Sequence, residues 1–188
     1  MEDDPIAPDF IGPDFIADTR RWLERAVIGL NLCPFAKAVH AKGQVRWVLS
    51  DATEPADLLE QLGEELAFLR DTDPAEVDTT LIVHPHVLQD FIDYNDFLGD
   101  ADDLVEAMEL DGVLQVASFH PDYQFADSDP DDIANYTNRS PYPTLLLLRE
   151  DSVSRAVDAF PDPDVIVERN VETLEKLGHA GWRALLGD

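Results

Sequence analysis

Apolar residues recur along the chain at spacings that predict alternating helices and strands. From Pro13 they return with helical periodicity, which predicts a first helix ending near Cys33. The stretch 45–50 alternates apolar and polar positions, as a strand does. A leucine stripe predicts a second helix over 55–70, and an apolar run predicts a buried strand over 79–83.

The second half of the chain continues this alternation. The predicted elements are helices over 87–98 and 101–110 divided near Gly99, strands over 113–119 and 144–148, and helices over 152–160 and 165–177 with Gly178 as C-cap. Strands alternating with helices predict a single α/β domain over 13–188, with a four-stranded parallel or mixed sheet flanked by helices. Residues 1–12 are predicted to be an acidic N-terminal tail.

One long polar segment interrupts the pattern, from His120 to Pro143. A structureless connection of this length is unusual in a compact domain, so either a short helix forms over 131–136 or the loop has a function. Its second half, NYTNRSPYP at 135–143, contains no aliphatic side chain.

The charge limits the classes of partner. Forty acidic residues against thirteen basic ones give a net charge of −27, which disfavours binding to nucleic acid or to anionic membranes. Abundant acid with only three lysines is typical of adaptation to concentrated salt, which screens the self-repulsion. A single cysteine and an acidic start without a signal-peptide pattern favour a reducing cytoplasm.

Two predicted strands end alike, each in a His followed by a Pro. LIVHP ends one strand at His84, and VASFHP ends another at His120. If the two strands run in the same direction, both imidazoles lie at the carboxyl edge of the sheet, where open α/β sheets bind ligands. Alternatively, Pro only ends each strand and the two His are structural.

A metal site is a further alternative. His84 and His86 could face one side of an extended chain, with His120 and Asp122 completing the ligand set. No H-E-x-x-H or paired-Cys motif accompanies them. A metal-dependent hydrolase through His84, His86 and His120 is therefore kept only as an alternative.

Cys33 allows two interpretations. At the carboxyl end of the first helix, the helix dipole would keep its thiol protonated and inert. If Pro34 instead opens a short second helix, PFAKAVHA, Cys33 lies at a positive helix end near Lys37 and a thiolate becomes feasible.

Side chains suited to an anionic ligand lie in or beside the long loop. They are Asn135, Asn138, Arg139 and Arg149, with Tyr123 close to His120 in sequence. Amide and guanidinium groups orient carboxylates and phosphates. The same residue types also stabilise turns and pair with acids, so a structural role is the alternative.

Several motifs together resemble a bacterial family classed as domain of unknown function 1415. The motifs are NLCPFA at 31–36, LIVHP at 81–85, FIDYNDFL at 91–98, QVASFHPDYQF at 115–125, YTNRSPYP at 136–143 and LLRE at 147–150. The resemblance covers nearly all of 18–187 and implies one intact domain. It implies no reaction.

The leading hypothesis from the sequence is an enzyme that acts on a small anionic molecule, a carboxylate or a phosphate. His120 would act as general acid or base, assisted by Tyr123, with Cys33 or His84 as the second catalytic group. The alternative is a non-catalytic binding or regulatory module that docks a partner through an exposed patch involving Tyr136 and Tyr142. The sequence indicates neither a cofactor nor an oligomeric state.

Overall fold

The computed structural model describes residues 13–158 and 163–187. The predicted acidic tail, 1–12, and the end of the helix predicted over 152–160 lie outside the described residues. Of the helices in the described ranges, none is both long enough and apolar enough to cross a membrane.

Helices and strands alternate, as the sequence predicts. The helices are α1 (Phe15–Trp22), α2 (Ala36–Ala41), α3 (Pro55–Asp71), α4 (Phe91–Ala107), α5 (Glu150–Asp158) and α6 (Pro163–Leu186). The strands are β1 (Val45–Leu49), β2 (Thr79–Val83), β3 (Leu114–Phe119) and β4 (Thr144–Arg149). A π-helical segment, Leu23–Ile28, continues α1, and a 3-10 helix, Ile133–Thr137, lies in the long loop.

The four strands form one mixed sheet in the order β1-β2-β4-β3. β1 and β2 are parallel, whereas β4 is antiparallel to both of its neighbours. β1, β2 and β3 therefore share one direction. We call the edge at which these three strands end, and at which β4 begins, the carboxyl edge.

Each face of the sheet is covered by a different set of helices. α3 and α4 cover the first face, where α3 buries leucines with no exposed surface and Ile82, Leu145 and Leu147 face them from the sheet. Burying one such leucine stabilises the fold by roughly 1.5–3 kcal/mol. α1, the π-helical segment and α6 pack on the second face, where Trp22 and Trp182 join Leu81.

One predicted helix boundary is wrong, and another is confirmed. α4 runs without interruption through Gly99, because a helical glycine costs only about 1 kcal/mol and the helix buries Tyr94, Phe97 and Ala101 on one stripe. Gly178, the predicted C-cap, has a left-handed φ of 65° and divides α6 into two helical pieces at a kink. The helix resumes after Gly178 and buries Trp182 against the second face.

Candidate functional site

The structure brings His84 and His120 to the carboxyl edge of the sheet. Val83, at the end of β2, and Phe119, at the end of β3, both pair with Thr144 of the intervening β4. Each histidine follows its strand directly, and neither has exposed surface. The convergence follows from the shared direction of β2 and β3.

Tyr94, on α4, packs against both histidines and forms hydrogen bonds with β3 and β4 at the carboxyl edge. Its ring centroid lies 5.6 Å from that of His84 and 5.1 Å from that of His120. Its hydroxyl donates to the carbonyl oxygen of Thr144 at 2.9 Å and accepts from the backbone N–H of Phe119 at 3.2 Å. Burial raises the pKa of Tyr94, so the phenol stays protonated.

The two ring nitrogens of His120 are both engaged. Nδ1 accepts from the backbone N–H of Asp122 at 3.0 Å, so Nε2 carries the proton and donates to the carbonyl oxygen of Leu88 at 3.2 Å. Leu88 has a left-handed φ of 57°, which costs a non-glycine residue roughly 1–2 kcal/mol. Burial lowers the pKa of His120. These contacts hold a neutral imidazole in one tautomer.

His84 has one unused nitrogen. Its Nδ1 donates to the carbonyl oxygen of Val87 at 3.1 Å, whereas Nε2 has no hydrogen-bond partner within the described residues. Burial lowers the pKa of His84 to about 4. The imidazole is therefore neutral near pH 7, and its unused nitrogen is a buried acceptor without access to solvent.

The polar residues of the long loop hold the loop itself. Asn135, which has no exposed surface, accepts from the backbone N–H of Phe125 and the hydroxyl of Ser128, and donates to the carbonyl oxygen of Asp129. The backbone carbonyl of Asn138 accepts from the N–H of His120 at 3.2 Å. The 3-10 helix at 133–137 agrees with the short helix predicted over 131–136.

Arg139 spans this loop instead of facing an open site. Its Nε donates to the carbonyl oxygen of Tyr123 at 3.0 Å, and its Nη2 donates to that of Pro130 at 2.9 Å. The guanidinium also lies 4.5 Å from the ring centre of Tyr136. The ring of Tyr123 packs against Phe91, which in turn contacts His120.

Arg149 lies at the opposite edge of the sheet. Its guanidinium donates to the carbonyl oxygens of Leu69, Thr72 and Val77, at distances from 2.7 to 3.3 Å. Leu69 and Thr72 lie at the carboxyl end of α3, so the Arg149 guanidinium caps that end of the helix. The expectation that Arg139 and Arg149 hold one anion together is therefore wrong, because the length of β4 separates them.

Cys33 packs on the second face of the sheet, whereas the rings of the two histidines contact Tyr94 of α4, which covers the first face. The cysteine is partly buried beyond the π-helical segment and packs against the cluster on that second face. The short helix expected after Pro34 is present as α2, but Phe35, not Cys33, occupies its N-cap position.

The residues proposed for a metal site, and those proposed for docking a partner protein, also have packing partners. His86 is exposed and its ring packs on Phe15, and within the described ranges no three His, Cys, Asp or Glu side chains are placed to hold a metal ion. Tyr136 packs on Trp182, and the hydroxyl of Tyr142 donates to Asp18 at 2.9 Å. Burial, and then Asp18, raise the pKa of Tyr142 to about 12.

A groove that the sequence did not indicate lies on the second face of the sheet, between α2 and α5. We call it the α2–α5 groove. Its volume is about 750 Å3. Its lining is mostly apolar and includes Val27, Pro34, Val39, Leu81, Leu148 and Val153. Trp22 and Phe119 form part of its wall, with ring centroids 5.2 Å apart.

The groove exists because two short helices leave part of the second face uncovered. α2 has six residues and α5 has nine, and neither contains a buried residue among those described. The sequence carried only a weak signal for this groove, because its helical walls contribute few apolar residues. The two helices are also more than a hundred positions apart along the chain.

The comparisons with known proteins identify a family and no relative of known activity. A family model with the description "Protein of unknown function (DUF1415)" matches residues 14–184 of the 188. No curated protein and no solved structure matches the chain.

Proposed function

The chain belongs to the family described as proteins of unknown function (DUF1415), and we propose that it binds a small, mainly apolar molecule in the α2–α5 groove. The observation that carries this proposal is the groove itself, an apolar concavity of about 750 Å3. Ligand pockets in proteins are typically 300–1,000 Å3, mostly apolar, and rimmed by a few polar groups.

The groove is a better ligand site than the loop at 120–143. The loop's Asn135 and Arg139 already direct their hydrogen-bonding groups at neighbouring carbonyl, hydroxyl and N–H groups of the loop. A ligand at that position would have to replace those bonds, and the unpaired groups would each cost about 1–3 kcal/mol. The groove requires no such exchange.

The enzyme hypothesis remains a prediction with less support. His84 and His120 lie together, but both are fully buried. Cys33 packs on the second face of the sheet, and Arg149 lies at the opposite edge. A general acid or base must come within hydrogen-bond reach of a substrate. We therefore propose a binding domain, with any catalysis by His120, Tyr123, Cys33 or His84 as the second candidate.

Binding of Nile red, a neutral dye that fluoresces in apolar surroundings, tests the proposal. Ala156 lines the groove on α5, and Ala156→Trp would fill part of it. The matched control is Ser154→Trp on the same helix, at an exposed position outside the lining. We expect the dye to bind the unmodified protein and the control, and to bind Ala156→Trp at least about tenfold more weakly. Equal binding to all three proteins would refute the proposal.

We infer, in addition, that the protein works in the cytoplasm of a cell with a high salt concentration. The net charge of −27 and the three lysines support this inference. At about 1 M salt the Debye length is roughly 3 Å, which removes most repulsion between surface carboxylates.

A further inference from the structure

We infer that the ligand of the α2–α5 groove carries one acidic head group, a carboxylate or a phosphate, on an apolar body. The inference rests on the proposed function and deepens it. The groove accounts for the apolar body, and the basic residues at its rim account for the head group.

The charge of the groove lining is opposite to that of the chain. Acids outnumber bases by forty to thirteen over the whole sequence. Among the described residues of the lining, two are bases, Lys42 and Arg155, and one is an acid, Asp78. In so acidic a protein, a rim with more bases than acids favours an anionic group at that position.

Asp78 is already engaged by the protein. Its Oδ1 accepts from the hydroxyl of Ser152 at 2.6 Å, and the Ser152 oxygen accepts from Nη2 of Arg155 at 3.0 Å. The backbone N–H of Asp78 also donates to the carbonyl oxygen of Gln44 at 2.9 Å. Asp78 therefore anchors α5 to the start of β2 and orients Arg155 at the rim.

The two bases have donor groups that no described residue uses. Within the described residues, Arg155 makes one hydrogen bond, through Nη2, which leaves its other guanidinium N–H groups unused. Lys42 forms no ion pair within those same residues. Both side chains are exposed, so they reach a head group at the mouth of the groove while the apolar body lies inside.

The ligand that best fits the α2–α5 groove is a single amphipathic molecule in solution and not a membrane surface. An anionic bilayer would be repelled by the charge of −27, whereas one molecule interacts mainly with the groove and its rim. A cationic head group would be repelled by the positive charges of Lys42 and Arg155. The carboxylate of Asp78 already accepts a hydrogen bond from Ser152.

Competition against Nile red at fixed ionic strength tests the head group. The competitors are dodecanoate, dodecyl phosphate, dodecanol and dodecyltrimethylammonium, with dodecanol below its solubility limit and the other three below their micellar concentrations. We expect at least one of the two acids to bind about tenfold or more tightly than the alcohol, and the ammonium compound to bind most weakly. The tighter of the two acids identifies the head group.

Three variants test whether Lys42 and Arg155 bind the acidic head group. Lys42→Gln and Arg155→Gln should each bring the affinity for the acid closer to that for dodecanol. Lys37→Gln changes the net charge by the same amount at an exposed position of α2 outside the groove, and it should leave these affinities unchanged. If Nile red binds but all head groups compete equally, the inference is wrong and the proposed function stands. If Nile red does not bind, both are wrong.

Discussion

The hydroxyl of Tyr94 donates a hydrogen bond of 2.9 Å to the carbonyl oxygen of Thr144, the first residue of β4. The same hydroxyl accepts from the N–H of Phe119, the last residue of β3. One side chain of α4 therefore ties together the two strands that meet at the carboxyl edge, between the buried histidines.

Replacing this tyrosine should weaken the fold. Tyr94→Phe keeps the packed ring but leaves the N–H of Phe119 and the carbonyl of Thr144 without this partner, which costs about 1–3 kcal/mol in the free energy of unfolding. The control is Tyr123→Phe, since the Tyr123 hydroxyl forms no hydrogen bond within the described part of the chain. Urea denaturation measures both variants, and equal stabilities would contradict this role for Tyr94.

Stability should fall in mild acid because of His84. The pKa of His84 is lowered by burial to about 4 in the folded protein, whereas an unfolded histidine titrates near 6.5. The unfolded state therefore binds a proton first as the pH falls. The contribution of His84 to stability is complete above about pH 6.5 and is lost between pH 6.5 and 4, by up to about 3 kcal/mol.

A matched pair of variants isolates this effect. His84→Phe keeps an aromatic ring against Tyr94 and should reduce the pH dependence of the unfolding free energy between pH 6.5 and 4. Part of the dependence remains, because burial also lowers the pKa of His120. His86→Phe alters an exposed histidine and should leave the dependence as it is. If both variants keep the original slope, His84 is not the group responsible.

Arg139 should act on stability and not on ligand binding. Arg139→Ala removes the two bonds to the carbonyls of Tyr123 and Pro130, and we expect a loss of about 1–3 kcal/mol with faster hydrogen exchange in the loop. Arg183→Ala, an exposed arginine outside this network, is the control. A loss of Nile red binding by folded Arg139→Ala would place the ligand at the loop instead.

Salt should stabilise the protein. Raising NaCl from about 0.1 M to about 1 M shortens the Debye length from roughly 10 Å to roughly 3 Å, so the repulsion behind the net charge of −27 weakens. We expect Tm, measured by circular dichroism, to rise with NaCl and equally with KCl. A Tm that falls or stays constant would contradict adaptation to salt.

The sequence predicted most of the helices and strands, and it predicted that His84 and His120 converge. Periodicity reports which face of an element is buried, which is enough to locate α3, β2 and β4. His84 and His120 converge because each follows a strand of the same direction. Their burial was not predictable, because it depends on Tyr94 and Phe91 of α4, and the sequence does not show that this helix packs on the two imidazoles.

The sequence could not distinguish a ligand-binding role of the loop from a structural one. Asn and Arg are the residues that bind anions, and they are also the residues that hold irregular backbone. Only coordinates show that the donors of Asn135 and Arg139 point at the loop's own carbonyl groups. The α2–α5 groove was missed because it arises from two helices that are far apart in the chain.

The most direct test is a nuclear magnetic resonance titration of isotopically labelled protein with dodecanoate, which maps the perturbed amides onto the structure. We predict that the largest shifts fall in α2, α5 and the face of β4 that contains Leu148. Shifts confined to 120–143 and the residues around His84 would contradict the groove as the binding site and would favour the site at the carboxyl edge.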